Sequence, residues 1–452
     1  MPDSPGSGVD KSISDRIHDV LVVGGGPAGS SCAFWLAEAG WDVVVVEKKH
    51  YPREKTCGDG LTPRSVRQLE DMGLSGALER AHRYEGLRTY DYGRTLEMRW
   101  PSHPSFPSHG YVVTRYDLDR LTAERAEKAG AAIWQGAEAM EPLLGEPVAR
   151  TPQGSAGSGA ERSGSVPMRL PACRGAVVLD RASGGRHEVL ARYVVVADGS
   201  LSRFGRALGT RRNKDFPQGM ALRGYFRSPR HDDPFIESHL DIRDASGTVI
   251  PGYGWIFPLG DGRVNAGVGV LTTSARWKGV NTTRLMEAFV DWAPRSWGLS
   301  QGSALGPPTG GRLPMGLAVG PRLGPNVLVA GDAAGTINPF NGEGIAYGYE
   351  TGRLAAAALG NALSGDGHAA LDDYERRLEE AYALYYKIGR AFVKLISRPS
   401  LMRATVGLGM HSKPLMEWVF RIMANLVRPD EIAPSELLYR SLVAIARHTP
   451  EP

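Results

Sequence analysis

The apolar positions along this 452-residue chain fall into two kinds of run. Residues 19–23, 43–46, 188–196 and 326–330 are short, unbroken and rich in β-branched side chains, as strands buried on both faces of a parallel sheet are. Residues 84–113 alternate with period two, placing Tyr90, Tyr92, Leu96 and Met98 around a Tyr-Gly-Arg turn, and predict a hairpin. Strands are also predicted at 176–179, 220–226, 252–257 and 264–270, the last three as an antiparallel sheet inserted into the first. Helices are predicted at 28–39, from Pro63 to about Met72, and from the Arg115 junction to near Gly130. Beyond residue 380, Leu384, Ile388, Phe392 and Leu395 recur at helical spacing, with Lys387, Arg390 and Lys394 on an adjacent face.

The first two buried runs are joined by a turn in which Gly24, Gly26 and Gly29 form G-x-G-x-x-G. Pro27 stands where a helix begins without needing an N–H. Bare glycines let the backbone approach a pyrophosphate, whose charge sits at the helix N-terminus. Glu47, with Lys48 beside it, closes the second strand about twenty residues further on, where a carboxylate holds a ribose hydroxyl. That carboxylate would repel a 2′-phosphate, so the pattern predicts a site for FAD or NAD rather than NADP. Without the strand, helix and acid, the glycines would predict only a tight turn.

Two further carboxylates follow buried strands, at the end where open α/β sheets bind ligands: Ala197-Asp198-Gly199-Ser200, with Arg203 behind it, and Gly331-Asp332-Ala333-Ala334. Cys57-Gly58-Asp59-Gly60 is a turn whose glycines admit a flat ligand. Arg115 either contacts a phosphate or ribityl oxygen or is simply solvated. Tyr253, Trp255 and Phe257 share one face of an alternating strand, which makes them either a wall for an apolar chain or ordinary core.

In this order the elements resemble the flavoproteins that include aromatic hydroxylases, halogenases and geranylgeranyl reductases, and within them the geranylgeranyl reductase family. Gly335 stands where aromatic hydroxylases usually place histidine, and Tyr253-Gly-Trp-Ile-Phe-Pro matches that family's Y-x-W-x-F-P. Cys57-Gly-Asp-Gly-Leu-Thr-Pro-Arg and Asn341-Gly-Glu-Gly-Ile look most like the bacterial branch that saturates one isoprene unit of a menaquinone tail. The resemblance spans about residues 18–430. It implies an α/β fold: a Rossmann-like FAD-binding domain of the aromatic-hydroxylase type, with a central parallel sheet, an inserted antiparallel β-sheet substrate domain and a helical C-terminus. The expected boundaries are a disordered tail at 1–16; a FAD-binding domain of 17–83, 112–215 and 322–380; a substrate domain of 84–111 and 216–321; and a helical region at 381–452. Residues 151–166 are expected to be a flexible loop.

The resemblance implies FAD as cofactor, bound by Gly24, Gly26, Pro27, Ala28, Gly29, Glu47, Lys48, Cys57, Gly58, Arg115, Asp198, Gly199, Gly331, Asp332, Pro339, Gly342, Gly344 and Ile345. Asp332 would meet the ribityl chain, and the helix after Gly344 would point its N-terminus at the flavin. It implies catalysis around Cys57, Asp59, Tyr253, Trp255 and Phe257. An isolated alkene takes hydride from reduced flavin only with a proton on the other carbon, and Cys57, Asp59 and Tyr253 are the candidate donors. The implied substrate is a prenylated quinone or other isoprenoid lipid. With no second G-x-G-x-x-G, the electron donor is NAD(P)H docking transiently or a redox protein. Two alternatives are a flavin monooxygenase or halogenase on an aromatic or polyketide substrate, and a non-catalytic prenyl-lipid carrier; intact cofactor elements speak against the carrier.

Composition changes this picture little. With 42% hydrophobic and 23% charged residues, the chain reads as an ordinary globular protein, and it has no apolar run long enough to span a bilayer. Residues 1–16 are polar and show no secretory leader, and Cys32, Cys57 and Cys173 have neither metal-ligand nor disulfide spacing, so a cytoplasmic location without metal is expected. A net charge of +4 is too small to suggest nucleic acid. The charge is concentrated, however. Residues 387–428 hold many Lys and Arg against one acid, Glu417, interleaved with Leu401, Met402, Leu408, Met410, Trp418 and Phe420. This region suits the anionic inner face of the cell membrane, at about 1 kcal/mol per basic residue, or a helical cap with solvated charges.

Overall fold

The computed structural model describes residues 11–14, 16–145, 169–244, 246–273, 277, 279–367, 369–397, 407, 409–428 and 434–448. The expected loop at 151–166 and most of the expected tail lie outside these. Lys11–Ser14 form a helical turn whose Ile13 is buried and accepts a hydrogen bond from His18 through its carbonyl.

β1 (Ile17–Val23), α1 (Pro27–Glu38) and β2 (Val43–Glu47) form a β–α–β unit with the strands parallel. After α2 (Pro63–Asp71), β3 (Gly86–Asp91) and β4 (Arg94–Arg99) make the expected hairpin; Tyr92 and Gly93, both at positive φ, turn it. α3 (Arg115–Lys128) leads to β5 (Ala132–Gln135), β6 (Ala137–Leu144), β7 (Cys173–Asp180) and β8 (Arg186–Val196). Next come β9 (Gln218–Arg227), β10 (Phe235–His239), β11 (Gly252–Pro258), β12 (Arg263–Leu271), α4 (Thr282–Trp292), β13 (Thr309–Pro314), β14 (Val327–Val329) and α5 (Ile345–Asn361). α6 (Leu384–Ile396), α7 (Lys413–Met423) and α8 (Pro434–His448) complete the described chain.

The first sheet runs β5-β2-β1-β8-β7-β6, with β14 also on β8. Its centre is parallel as expected, but β6 and β7 are antiparallel additions: β8 is long enough to pair with β7 through its first half and with β14 through Val194–Val196. The valines of β1, β2, β8 and β14 are almost wholly buried, which accounts for their unbroken apolar runs.

The second sheet runs β13-β9-β12-β11-β10-β3-β4. It departs from the expected antiparallel pattern at one seam, where β10 and β3 run parallel. These two strands come from separate parts of the chain, and no hairpin turn forces them antiparallel. Leu285, Met286, Phe289 and Val290 of α4 cover one face, packing on Ile256, Val264 and Val268.

α1 and α5 cross closely because Gly352 is bare: a Cβ there would lie 2.2 Å from the Ala28 carbonyl oxygen. On α6, Gly389 is bare for a similar reason, since a Cβ would meet Pro339 at 2.5 Å. The C-terminal helices thus brace the loop ahead of α5. Tyr386 donates to the Thr336 carbonyl at 2.6 Å, and Tyr385 to that of Met423 at 2.9 Å.

This packing corrects the solvated-charge reading of Arg390. Its side chain is buried, donates to the Gly316 carbonyl at 2.9 Å and lies over the Phe216 ring. Met410, Phe420 and Ile422 are buried too, whereas Leu401, Met402 and Leu408 lie outside the described residues. Among the described residues no helix is long and apolar enough to cross a membrane.

Candidate active site

At the C-terminal ends of β1, β2 and β8 the backbones converge on the glycine turn. Gly24 has φ +100°, and a Cβ on it would lie 2.5 Å from the Ala197 carbonyl oxygen; one on Gly29 would lie 1.8 Å from that of Gly24. Neither α1, with Gly26 at its N-cap, nor α5, with Gly344, has a side-chain cap, so the first N–H groups of both remain open to a ligand. Glu47 Oε2 accepts from the Gly25 N–H and Oε1 from the Lys49 N–H, both at 3.0 Å, and the Arg53 guanidinium stands 3.6 Å away. Glu47 therefore both shapes the turn and holds a fixed carboxylate at the end of β2.

The other strand-end carboxylates lie alongside. Asp198 Oδ2 accepts from the Phe204 N–H at 3.2 Å, while Oδ1 is buried with no hydrogen-bond partner. Asp332 is partly exposed beside Gly344, with Lys55 Nζ at 4.0 Å. An orphaned acceptor, a turn cleared of side chains and two uncapped helix ends fit an elongated dinucleotide such as FAD. Arg115 is not solvated: it is buried, and its Nε and Nη2 bind Asp119, each at 2.9 Å.

Replacing Glu47 by arginine removes both acceptors and faces the new cation with Arg53. Hydrogen bonds to a charged group contribute about 1.5–3 kcal/mol, so flavin retention should weaken by roughly ten- to a hundredfold. Absorbance of bound flavin after exhaustive dialysis measures it, and unchanged occupancy would refute the role.

The Cys57–Gly60 loop packs on the aromatic strand. Phe257 lies over both Gly58 and Gly60, within 3.0 Å of where a Cβ on either would stand. Trp255 is buried against Gly267, while Tyr253 and Phe257 are partly exposed, so the three side chains form a wall whose middle member is core. Asn265, fully buried on β12, ties wall to loop. Its Nδ2 donates to the Cys57 carbonyl and to Asp59 Oδ2, both at 2.8 Å, and its Oδ1 accepts from Trp255 Nε1 at 2.9 Å.

Asp59 adopts φ +66°, uncommon for a residue with a side chain, and it is held there by its contacts. Its carboxylate accepts from Tyr225 Oη at 2.6 Å, from Asn265 and from the Arg115 N–H at 3.1 Å. Burial raises its pKa, but all three partners are donors and favour the anion. Burial likewise pushes the Cys57 thiol up, keeping it neutral, and pushes the Tyr253 hydroxyl up to about 12 while that hydroxyl donates to the Asn341 carbonyl at 2.7 Å.

Sequence reasoning missed Asn265, Tyr225 and a further carboxyl, Glu343, half-buried in the loop before α5. Glu343 Oε1 accepts from the Thr62 and Ser65 hydroxyls, and Oε2 is buried with no hydrogen-bond partner. Next to it Arg64 is bound to Glu350 through Nε at 3.0 Å and Nη2 at 2.8 Å. The Asn341-Gly-Glu-Gly-Ile motif contains Glu343 but gives no sign of which way its side chain turns.

Residues 18–155 match a family model described as a FAD binding domain. The chain is 40% identical to the menaquinone reductase of Mycolicibacterium smegmatis over 91% of its own length and 93% of that protein's. It is 30% identical to digeranylgeranylglycerophospholipid reductase 2 of Methanopyrus kandleri, covering 84% of this chain and 87% of that one. Its fold matches a geranylgeranyl bacteriochlorophyll reductase-like protein of Thermoplasma acidophilum with a TM-score of 0.69 at 21% identity, covering 96% of this chain and 99% of that one.

Proposed function

The chain belongs to the geranylgeranyl reductase family of FAD-dependent oxidoreductases, and from that membership we propose that it saturates an isoprene double bond in the prenyl tail of menaquinone or a related prenyl lipid. The observation that carries this reading is the aromatic wall of β11 clamped onto the Cys57–Gly60 loop by Asn265. An isolated alkene acquires positive charge on carbon as it is protonated. Aromatic faces and a fixed carboxylate stabilise that charge, and Tyr253, Phe257 and Asp59 stand together here to do so.

In this reading bound FAD, once reduced, supplies the hydride. The chain's residues do the rest. The turn of Gly24, Gly26, Pro27, Ala28 and Gly29 receives the pyrophosphate, and Glu47 with Lys48 the adenosine end. Asp332 would hold the ribityl chain, with Asp198, Gly199 and Gly331 binding the cofactor beside it, while Pro339, Gly342, Gly344 and Ile345 would present the N-terminus of α5 to the ring, with Cys57 and Gly58 near it. The wall excludes water and seats the tail. NAD(P)H or a redox protein supplies the electrons. Leu395, Leu437 and Ile445, apolar and exposed on the C-terminal helices, support contact with the membrane that holds such a lipid.

Mass spectrometry of quinones from cells lacking the gene tests the proposal. The dihydro form should vanish, a species two hydrogens lighter should accumulate, and restoring the gene should reverse both. Fractionation of the complemented cells should place the protein with the membranes. An unchanged quinone profile sinks the substrate assignment.

A further inference from the structure

The reduction needs a proton, and the buried groups of the site differ in their ability to give one. Asp59 is an acceptor three times over, Cys57 is a neutral thiol kept there by burial, and the Tyr253 hydroxyl is already donated to Asn341. Glu343 is arranged the other way. Its Oε1 takes both available hydroxyl donors, from Thr62 and Ser65, which leaves Oε2 as the atom for a proton, and Oε2 is buried with no hydrogen-bond partner. From the geometry we infer that Glu343 is the proton source of the reaction, giving the proton on Oε2 to the alkene carbon that does not receive hydride. This rests on the reading above that the substrate is an alkene.

The surroundings of the carboxyl support the neutral form. The charged groups around it are Arg64 of α2 and Glu350 of α5, and the titratable ones are the hydroxyls of Tyr84, Tyr253, Tyr347 and Tyr385. Arg64, the one cation among these, spends Nε and Nη2 on Glu350 and Nη1 on the Asn425 carbonyl at 2.9 Å. The N-terminus of α2 favours an anion by about 0.3–1 kcal/mol. Burial outweighs that and the pull of Arg64 and of the Thr62 and Ser65 hydroxyls toward the anion, and with Glu350's charge it lifts Glu343 to about 7.

The step balances. The π bond is lost, one carbon takes hydride from the reduced cofactor, and the other takes the Oε2 proton. Two C–H bonds form, and the carboxylate left behind takes up a proton from solvent between turnovers. Tyr253 stands over the same loop: its hydroxyl lies 3.2 Å from where a Cβ on Gly342, the residue before Glu343, would be.

The test uses the FAD-loaded enzyme, chemically reduced and mixed with menaquinone carrying an unsaturated tail, together with Glu343→Gln and Glu343→Asp. General acids contribute about 10²–10⁴-fold, so Glu343→Gln should slow tail reduction by that factor with flavin occupancy unchanged, and Glu343→Asp should restore part of it. Wild-type rate should fall as pH rises through about 7, because only the protonated acid can donate. A second readout is independent of turnover: the infrared C=O stretch of a protonated carboxyl should titrate over the same range and be absent in Glu343→Gln. If the wild type leaves the tail unreduced, the substrate reading fails and the inference falls with it. If the wild type reduces the tail and Glu343→Gln matches its rate, or keeps the infrared band, the proton comes from elsewhere.

Discussion

Gly29→Ala is expected to yield protein that retains no flavin and melts well below the wild type. The added methyl would stand 1.8 Å from the Gly24 carbonyl oxygen, 3.0 Å from its carbon and 3.2 Å from Val22 Cγ1. A flexible side chain could yield, but this obstacle is backbone held on two sides. The Gly24 N–H donates to the Val46 carbonyl at 2.9 Å, and Gly24 itself packs against Ala197 at the end of β8. Relief requires lifting α1 off the sheet, and α1 is pinned from above by its close crossing with α5 at Gly352. Overpacked cores lose about 1–3 kcal/mol, occasionally more, and this site belongs at the upper end. Any lift also moves the open N–H groups of α1 away from the pyrophosphate. Flavin absorbance per protein and a thermal melt read both effects. Gly76→Ala is the control, since a Cβ there meets nothing within 4 Å. Yellow protein of wild-type stability from Gly29→Ala would overturn the account of the turn.

Arg64→Met should cost about 3–5 kcal/mol, the usual penalty for stripping one partner from a buried ion pair. Both side chains are mostly buried, at 14% and 10% exposed, and the pair is bidentate. Without Arg64, Glu350 retains the Tyr382 hydroxyl at 2.5 Å and a burial cost with no counter-charge. The arginine also links three parts of the chain, reaching from α2 to α5 and to the Asn425 carbonyl behind α7, and it lies over the rings of Phe106 and Tyr347. Against a total stability of about 5–15 kcal/mol, such a loss is large. Urea denaturation measures it. The double variant Arg64→Met with Glu350→Met should recover a substantial part, because two apolar side chains of similar volume leave no buried charge. A double variant no more stable than Arg64→Met would mean that the loss does not come from the uncompensated charge of Glu350.

What the sequence made legible is what neighbouring residues determine. Gly24, Gly26, Gly29 and Glu47 act within one β–α–β unit, so their spacing carries their geometry. The strands holding Asp198 and Asp332 are equally plain, being buried on both faces. The polar network is not legible, because its bonds join distant segments: Asn265 to Cys57, Tyr225 to Asp59, Thr62 to Glu343, Arg64 to Glu350. No periodicity records which asparagine on a strand faces a loop formed two hundred residues earlier, a separation of 208 in the case of Asn265 and Cys57. Arg390 shows the converse. Its helical spacing predicts an outward cation, but Gly316 and Phe216 approach from another part of the chain and enclose it. Trp255 was ambiguous between wall and core because an alternating strand looks the same either way; Gly267, bare beneath its ring, makes it core.

The parallel seam between β10 and β3, and the place of β14 beside β8, also govern the order in which this protein can be made. The second sheet cannot close when the β3–β4 hairpin leaves the ribosome, because its partner strand is still to be translated. The cofactor cradle waits longer, for β14, Asp332 and α5. Pairings this distant in sequence form slowly and leave strand edges exposed meanwhile. A nascent chain that ends before Asn361 holds the glycine turn but has no α5 to cross it, so flavin loading belongs after translation. Cells that overproduce the protein faster than they supply FAD would therefore accumulate open, aggregation-prone chains.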